Sequence, residues 1–86
     1  MQPIYLRCFR RDGFKCRHCS DRNALHPHHV IYRSQGGQDV LNNLITLCAQ
    51  CHLIGIHEKK LTLEVVQVLD NDVIVKFTRE KGWKPT

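Results

Sequence analysis

The sequence predicts a small α+β domain with an N-terminal helix, a central β-β-α unit and a C-terminal β-hairpin. Three observations predict it: two Cys-x2-Cys pairs, a segment of alternating histidine and apolar residues between them, and two period-two apolar segments near the C-terminus. The 86 residues correspond to one domain spanning 1–86, with its core in 14–60. Because so short a chain buries only a modest hydrophobic core, we expect an additional stabilising cross-link.

The first element is predicted as a helix over residues 3–11. Pro3 suits the first turn of a helix, and Gly13 suits a stop after its end. Cys8 lies on this helix without a Cys-x2-Cys partner. We therefore interpret Cys8 as a small buried hydrophobic residue rather than a reactive thiol.

The central unit is predicted as two strands and a helix. Residues 25–32 alternate histidine with apolar residues and indicate a strand, and the apolar run 44–47 indicates the return strand. A polar, glycine-bearing loop, 34–39, separates them. A helix is expected from about Ala49, and Gly55 threatens to end or kink it early.

The C-terminal part is predicted as a β-hairpin over residues 61–79. Residues 61–65 and 73–77 alternate with period two, and the turn-forming residues Asp70-Asn71-Asp72 lie between them. The apolar phase slips at Val65-Val66, which indicates a β-bulge there.

The four paired cysteines predict a structural zinc site. Cys16 and Cys19 form one pair, Cys48 and Cys51 the other, and 28 residues separate the pairs. Each pair can place two thiolates on one side of a tetrahedral ion, whereas a catalytic zinc would need an open position that four cysteines do not leave. The N-terminus does not have the pattern of a secretory signal, so we expect a reducing cytoplasm and metal rather than disulfides.

The charge of the chain favours a polyanionic partner. The formal net charge is +5 at pH 7. Four thiolates and one Zn²⁺ would lower it by two, to about +3, and a second divalent ion would restore about two. A basic balance is typical of nucleic-acid binding, although a merely soluble basic surface has the same charge. No apolar run is long enough for a membrane-spanning helix, so no membrane partner is expected.

A set of histidines and an asparagine lies between the cysteine pairs and directly after the second pair: His28, His29, Asn43 and His52. Neighbouring residues of a strand point to opposite faces, so one of His28 and His29 should bind metal while the other faces water. A neutral histidine can serve as a general base near pH 7, and a divalent ion can stabilise charge on a phosphodiester. Asn43 could orient the base or offer its carbonyl oxygen to the ion.

Several motifs over residues 14–57 occur together in a fixed order. His26-Pro27-His28-His29-Val30 is followed by the loop 34–39 and then by residues 42–52, which end in Cys48-Ala49-Gln50-Cys51-His52. This combination resembles the HNH nuclease family. The resemblance implies a ββα-metal fold, often with an embedded four-cysteine zinc site, and hydrolysis of DNA with a single catalytic divalent ion, for which we expect Mg²⁺ or Mn²⁺.

The resemblance also implies roles for individual residues. His29 is the expected general base, Asn43 the middle residue of the motif, and His52 the last, with His28 and His52 as ligands of the catalytic ion. Many relatives have a further helical histidine, but His57 lies five residues after His52. Because i+5 turns away from i on a continuous α-helix, a ligand role for His57 requires a break at Gly55.

Other polar residues near these motifs have simpler explanations. We expect His26 to be an outer or surface residue. His18, between the zinc cysteines, is expected to face solvent or phosphate, and Asp39 is more easily explained as a loop cap than as a metal ligand.

The predicted partner is DNA, cut with little sequence selectivity and one strand at a time by a monomer or weak dimer. The main alternative is a zinc-stabilised module that binds nucleic acid without cutting it. A zinc-dependent deaminase is rejected, because its His-x-Glu and Pro-Cys-x2-Cys motifs are absent from the sequence. Candidate phosphate contacts are the basic residues Arg7, Arg10, Arg11, Lys15, Arg17, Arg33, Lys59 and Lys60.

Overall fold

The computed structural model describes residues 2–85, and Met1 and Thr86 lie outside the described residues. Its helices and strands are α1 (Pro3–Arg11), β1 (Leu25–His29), β2 (Leu44–Cys48), a π-helix (Gln50–Ile56), β3 (Leu61–Val68) and β4 (Val73–Arg79), with two short 3₁₀-helices, Arg33–Gln35 and Leu41–Asn43, between β1 and β2. The predicted α+β class is confirmed. Within residues 2–85, none of the helices is both long and apolar enough to cross a membrane.

The strands form two separate antiparallel pairs. In the first pair His28 of β1 lies opposite Ile45 of β2, and this hairpin with the π-helix makes the β-β-α unit. In the second pair β3 and β4 form the predicted C-terminal hairpin. Its register shifts between Val65 and Gln67, so the bulge lies at the predicted place.

Strand β1 ends at His29, three residues earlier than predicted. The backbone N–H of Val30 still donates to the backbone oxygen of Asn43 at 2.9 Å. The side chain of Asn43 then takes over, because its Oδ1 accepts from the N–H of Ile31 at 2.8 Å and its Nδ2 donates to the oxygen of Ile31 at 3.1 Å. The sequence pattern could not show that the side-chain carboxamide of Asn43 would replace the backbone hydrogen bonds between the strands at this point.

The loop after β1 is closed tightly around Gly37. Its N–H donates to the backbone oxygen of Tyr32 at 2.9 Å. A Cβ atom at this position would lie 1.7 Å from the backbone oxygen of Ile31. Only glycine permits so close an approach of two backbone segments.

The four paired cysteines lie at the centre of the core. Their sulfur atoms all lie within 4.8 Å of one another, so they can hold one zinc ion. Ile45 and Leu47 of β2 and Leu61 and Val73 of the C-terminal hairpin pack around this cluster. The cluster therefore joins both hairpins to the π-helix.

Gly55 lies within the π-helix rather than at its end. A Cβ atom here would lie 3.1 Å from both Leu61 Cβ and Trp83 Cη2. The helix is short, as the expectation of an early end or kink at Gly55 implied, but it ends one residue later, at Ile56, and the glycine serves close packing.

Two arginines predicted to contact phosphate are used inside the fold. Arg11 donates to the backbone oxygens of Leu41 at 2.7 Å and Leu44 at 2.6 Å. Arg17 donates to Asp72 Oδ1 at 3.0 Å. These guanidinium groups therefore tie α1 and the first cysteine pair to the rest of the chain, while their DNA contacts stay a prediction.

Replacing Cys19 with serine should remove one thiolate from the cluster and lower the zinc content well below one ion per chain. It should also destabilise the fold by several kcal/mol, because in such small domains the free energy of metal binding contributes directly to the free energy of folding. Zinc analysis and denaturant unfolding followed by the single tryptophan, Trp83, would measure both. Cys8→Ala is the matched control, because Cys8 is buried outside the cluster and its loss should leave zinc at one per chain. Full zinc and native stability in the Cys19→Ser protein would contradict this role.

Replacing Gly37 with alanine should force the loop away from β1, because the new methyl group would meet backbone atoms that cannot yield easily. We expect a loss of about 1–3 kcal/mol in the free energy of unfolding, as for other overpacked sites. Gly36→Asn is the control. Gly36 has a φ of 88°, a Cβ atom there would meet nothing within 4 Å, and asparagine tolerates that conformation. Equal stability of the two variants would contradict the proposed closure.

Candidate active site

A cleft of about 230 Å³ lies where the end of β1, the following loop and the π-helix meet. Its lining combines apolar, aromatic, basic and imidazole side chains: Pro27, His28, His29, Tyr32, Arg33, His52 and His57. The cleft therefore brings together every histidine that the sequence analysis assigned to chemistry.

His28 and His29 point to opposite faces of β1, as expected. His28 is buried, and its ring centre lies 5.2 Å from that of His52 on the π-helix. His29 turns the other way, towards Asp39 and α1. The two histidines therefore have separate surroundings within one cleft.

The π-helix places His57 directly beside His52. The N–H of His57 donates to the backbone oxygen of His52 at 3.2 Å, a bond from i+5 to i. Their Nε2 atoms lie 3.3 Å apart. Two nitrogens that bind one ion at about 2.1 Å each can be up to about 4.2 Å apart, so this pair fits a shared ion. The expectation that His57 needs a break at Gly55 was wrong, because it assumed α-helical periodicity.

His26 fixes the ring of His52. The Nδ1 atoms of the two residues share a hydrogen bond at 3.0 Å. Metal-binding histidines commonly use their second ring nitrogen in this way, which sets the ring orientation and the tautomer. His26 thus leaves Nε2 of His52 facing His57.

Burial keeps the two inner histidines neutral. Desolvation, followed by the nearby histidines, lowers the pKa of His28 to about 4 and the pKa of His52 to about 4. A neutral imidazole has a free lone pair, so both side chains are ready to bind a cation at neutral pH. Protons would compete for these nitrogens only in acid.

The residues present fit a divalent ion, although they form a looser group than the cysteines. Across residues 2–85, the cysteine cluster is the one set of three or more metal-binding side chains whose ligand atoms all lie within 4.8 Å. Imidazole nitrogens nevertheless suit divalent transition metals, and the 3.3 Å separation at His52 and His57 is short enough for one ion. His28 lies beside that pair.

His29 is held by a carboxylate that sequence reasoning assigned a different role. Its Nε2 donates to Asp39 Oδ1 at 2.5 Å, and the hydroxyl of Tyr5 donates to the same oxygen at 3.4 Å. The hydrogen bond with His29 is the main cause that lowers the pKa of Asp39. His29 and Asp39 are only ten residues apart, and this was the only sign of the pair in the sequence, because Asp39 lies in a loop whose path the sequence does not reveal.

Asn43 is buried, and its carboxamide is used within the protein. Besides the two bonds with Ile31, its Nδ2 donates to the backbone oxygen of Gln38 at 3.0 Å. Both ends of the loop that leads to Asp39 are therefore tied to one side chain. With Oδ1 already accepting a hydrogen bond, Asn43 is better suited to positioning this loop than to binding an ion.

The cysteine cluster adjoins the histidines through the chain, since Cys51 directly precedes His52. Burial raises the pKa of Cys19 to about 11 and also raises that of Cys51. These groups are thiols in the metal-free protein, so binding of zinc would release protons.

His18 is half-buried, and its ring packs against the protein instead of pointing outward as expected. Its Nδ1 lies 3.2 Å from Cys51 Sγ, within hydrogen-bonding distance. Its ring packs between Phe77 and Trp83, with ring-centre distances of 5.2 and 6.3 Å. His18 therefore couples the cysteine cluster to the C-terminal segment.

The remaining candidate phosphate contacts differ in position. Arg33 is exposed and lines the cleft, and Lys59 is exposed beside it. Lys60 forms an exposed ion pair with Glu80 at 3.0 Å. Three further basic residues are exposed but do not line the cleft: Arg7, Arg10 and Lys15.

Comparison with known proteins relates the central part of the chain to a known family. The HNH endonuclease family model matches residues 16–55. The protein Anaredoxin from Nostoc sp. is 31% identical over 55 residues, which cover 63% of this chain and 71% of that protein. No solved structure matches the chain significantly. The matched segment contains both cysteine pairs together with His28, His29, Asn43 and His52. This chain belongs to the HNH endonuclease family.

Proposed function

We propose that this protein is a metal-dependent endonuclease that hydrolyses DNA phosphodiester bonds and nicks one strand per site. The observation that carries the proposal is the shared cleft. His29, whose Nε2 is hydrogen-bonded to Asp39, lines the cleft together with His28, His52 and His57. A module that only binds nucleic acid has no need of a paired base facing a group of imidazoles.

His29 is the proposed general base. Because its Nε2 donates to Asp39, its Nδ1 has the lone pair that can accept a proton from water. Asp39 fixes this tautomer and stabilises the imidazolium that forms, as the carboxylate does in other histidine–carboxylate pairs. The resulting hydroxide attacks phosphorus in line and leaves a 5′-phosphate and a 3′-hydroxyl end.

His28, His52 and His57 are the proposed ligands of a single catalytic divalent ion. When bound, this ion neutralises charge on the phosphate and on the leaving 3′ oxygen. Of the two ions expected from the sequence, imidazole donors support Mn²⁺ over Mg²⁺, because Mg²⁺ prefers oxygen ligands.

The other polar residues have supporting roles in this proposal. Asn43 holds the loop that carries Asp39, so it acts as a positioning residue. Arg33 at the edge of the cleft is suited to a backbone phosphate of the DNA. One cleft acts on one strand, so a nick is the elementary event, and a double-strand break needs two copies or two visits.

Replacing His29 with alanine should lower the rate of nicking of supercoiled plasmid by about 10²–10⁴-fold, because that is the usual contribution of a general base. The affinity for the same plasmid in the presence of Mn²⁺ should stay within about twofold of the wild type. Asp39→Asn should retain His29 and lose an intermediate part of the rate.

The wild-type protein and the His29→Ala protein are purified in parallel, so a contaminating nuclease would appear in both. Equal nicking by the two proteins would contradict the role of His29. Tight plasmid binding by the wild type with no nicking in Mn²⁺ or Mg²⁺ would favour the non-catalytic alternative.

A further inference from the structure

A second cavity of about 330 Å³ lies beside the cleft, and the two share His28 and Tyr32. We call it the side cavity. Its floor is apolar, with Val30, Ile56 and Leu63 among the lining residues. Its volume is at the lower end of the range for small-molecule sites, which suits one nucleoside rather than a longer ligand.

Tyr32 stands between the cleft and the side cavity. The residue is 42% exposed, and the centre of its ring lies 6.5 Å from that of His57 with an interplanar angle of only 9°. An exposed aromatic ring in this orientation is a platform on which a nucleic-acid base can stack. Gln35 and Thr62 supply hydrogen-bonding groups at the same rim.

Lys59 lines the side cavity and has an unusual backbone. Its φ is 61°, in the left-handed region where a helix end usually has glycine. Its N–H donates to the backbone oxygen of Ile56 at 3.1 Å, so the residue ends the helical segment. A lysine there is less favourable for the fold than glycine would be, but it brings an ammonium group to the cavity.

The charge of both cavities favours a polyanion. Among the described residues, none that lines either cavity has a carboxylate, whereas Arg33 lines the cleft and Lys59 lines the side cavity. A DNA strand that places one phosphate in the cleft can therefore place the neighbouring nucleotide across Tyr32 with its own phosphate close to a cation.

We propose that the side cavity binds the base of an unpaired nucleotide next to the phosphate in the cleft, with Tyr32 stacking on the base and Lys59 contacting the adjoining phosphate. This rests on the proposed endonuclease function and names its substrate class. A base inside a duplex must leave its stack before it can enter a cavity, whereas an unpaired base is already free to do so. DNA with an unpaired nucleotide is thus the preferred substrate over continuous duplex.

The test compares three fluorescent oligonucleotide duplexes of equal length: one fully paired, one with a single bulged thymidine, and one with a bulged abasic site. Dissociation constants are measured by anisotropy with the full-length His29→Ala protein in Mn²⁺, so that the DNA stays intact. We expect the thymidine bulge to bind about tenfold or more tightly than both other duplexes, which is the effect expected from one base–aromatic stack. The abasic bulge separates binding of a base from recognition of a bent backbone.

Two variants in the same background connect this preference to the side cavity. Thr62→Trp places a large ring in the side cavity from an exposed strand position and should reduce the preference for the thymidine bulge to about twofold or less. Lys59→Gly should weaken binding of the bulged duplex. The melting temperature of this variant protein should nevertheless equal or exceed that of the parent protein, since glycine suits the positive φ.

Equal affinity for the thymidine and abasic bulges would overturn the proposal, as would a preference that survives Thr62→Trp. A lower melting temperature for Lys59→Gly would show that the lysine is kept for the fold, which also counts against the proposal. Because binding here needs no cleavage, a wild-type protein that fails to nick plasmid would speak against the endonuclease function separately.

Discussion

The convergence of four cysteine sulfurs within 4.8 Å is the constraint on which the rest of the structure depends. The first pair precedes β1, while Cys48 ends β2 and Cys51 lies in the first turn of the π-helix. One ion held by all four would therefore fix the helix against the sheet. Because His52 follows Cys51 directly, the same constraint sets how closely the helical histidines approach those of β1.

A second constraint acts on the other side of the cleft. The buried carboxamide of Asn43 binds both ends of the loop after β1, and Gly37 allows the loop to pack against the backbone of Ile31. This closure brings Asp39 to His29. The proposed metal-binding half and the proposed base half of the site are thus held by different features, a cysteine cluster and a hydrogen-bonded loop.

Local sequence patterns predicted most of the fold. Pro3 at a helix start, the alternation on either side of Asp70-Asn71-Asp72 and the phase slip at Val65-Val66 each depend on near neighbours, and each was confirmed. The cysteine cluster was also predictable, because its spacing reflects the coordination of a single ion.

What the sequence could not reveal depends on contacts between distant residues or on backbone geometry. The proximity of His57 to His52 was not predicted, because α-helical periodicity was assumed and no local pattern indicates a π-helix. The pairing of Asp39 with His29 depends on the path of a loop. Arg11 resembled a surface cation in the sequence, but three backbone carbonyls accept its hydrogen bonds in the fold. In each case the residue type indicated the chemistry of the side chain but did not reveal which residue it contacts.

The central claim is that one ion serves the fold at the cysteines and a different ion serves chemistry at the histidines. Anomalous diffraction from zinc-containing crystals soaked in Mn²⁺, recorded on both sides of the zinc and manganese absorption edges, tests it most directly. We predict a zinc peak among Cys16, Cys19, Cys48 and Cys51, and a separate manganese peak bound by His52 and His57 with His28 in its coordination sphere. Manganese only at the thiolates, or His28 and His52 too far apart to bind one ion, would contradict it.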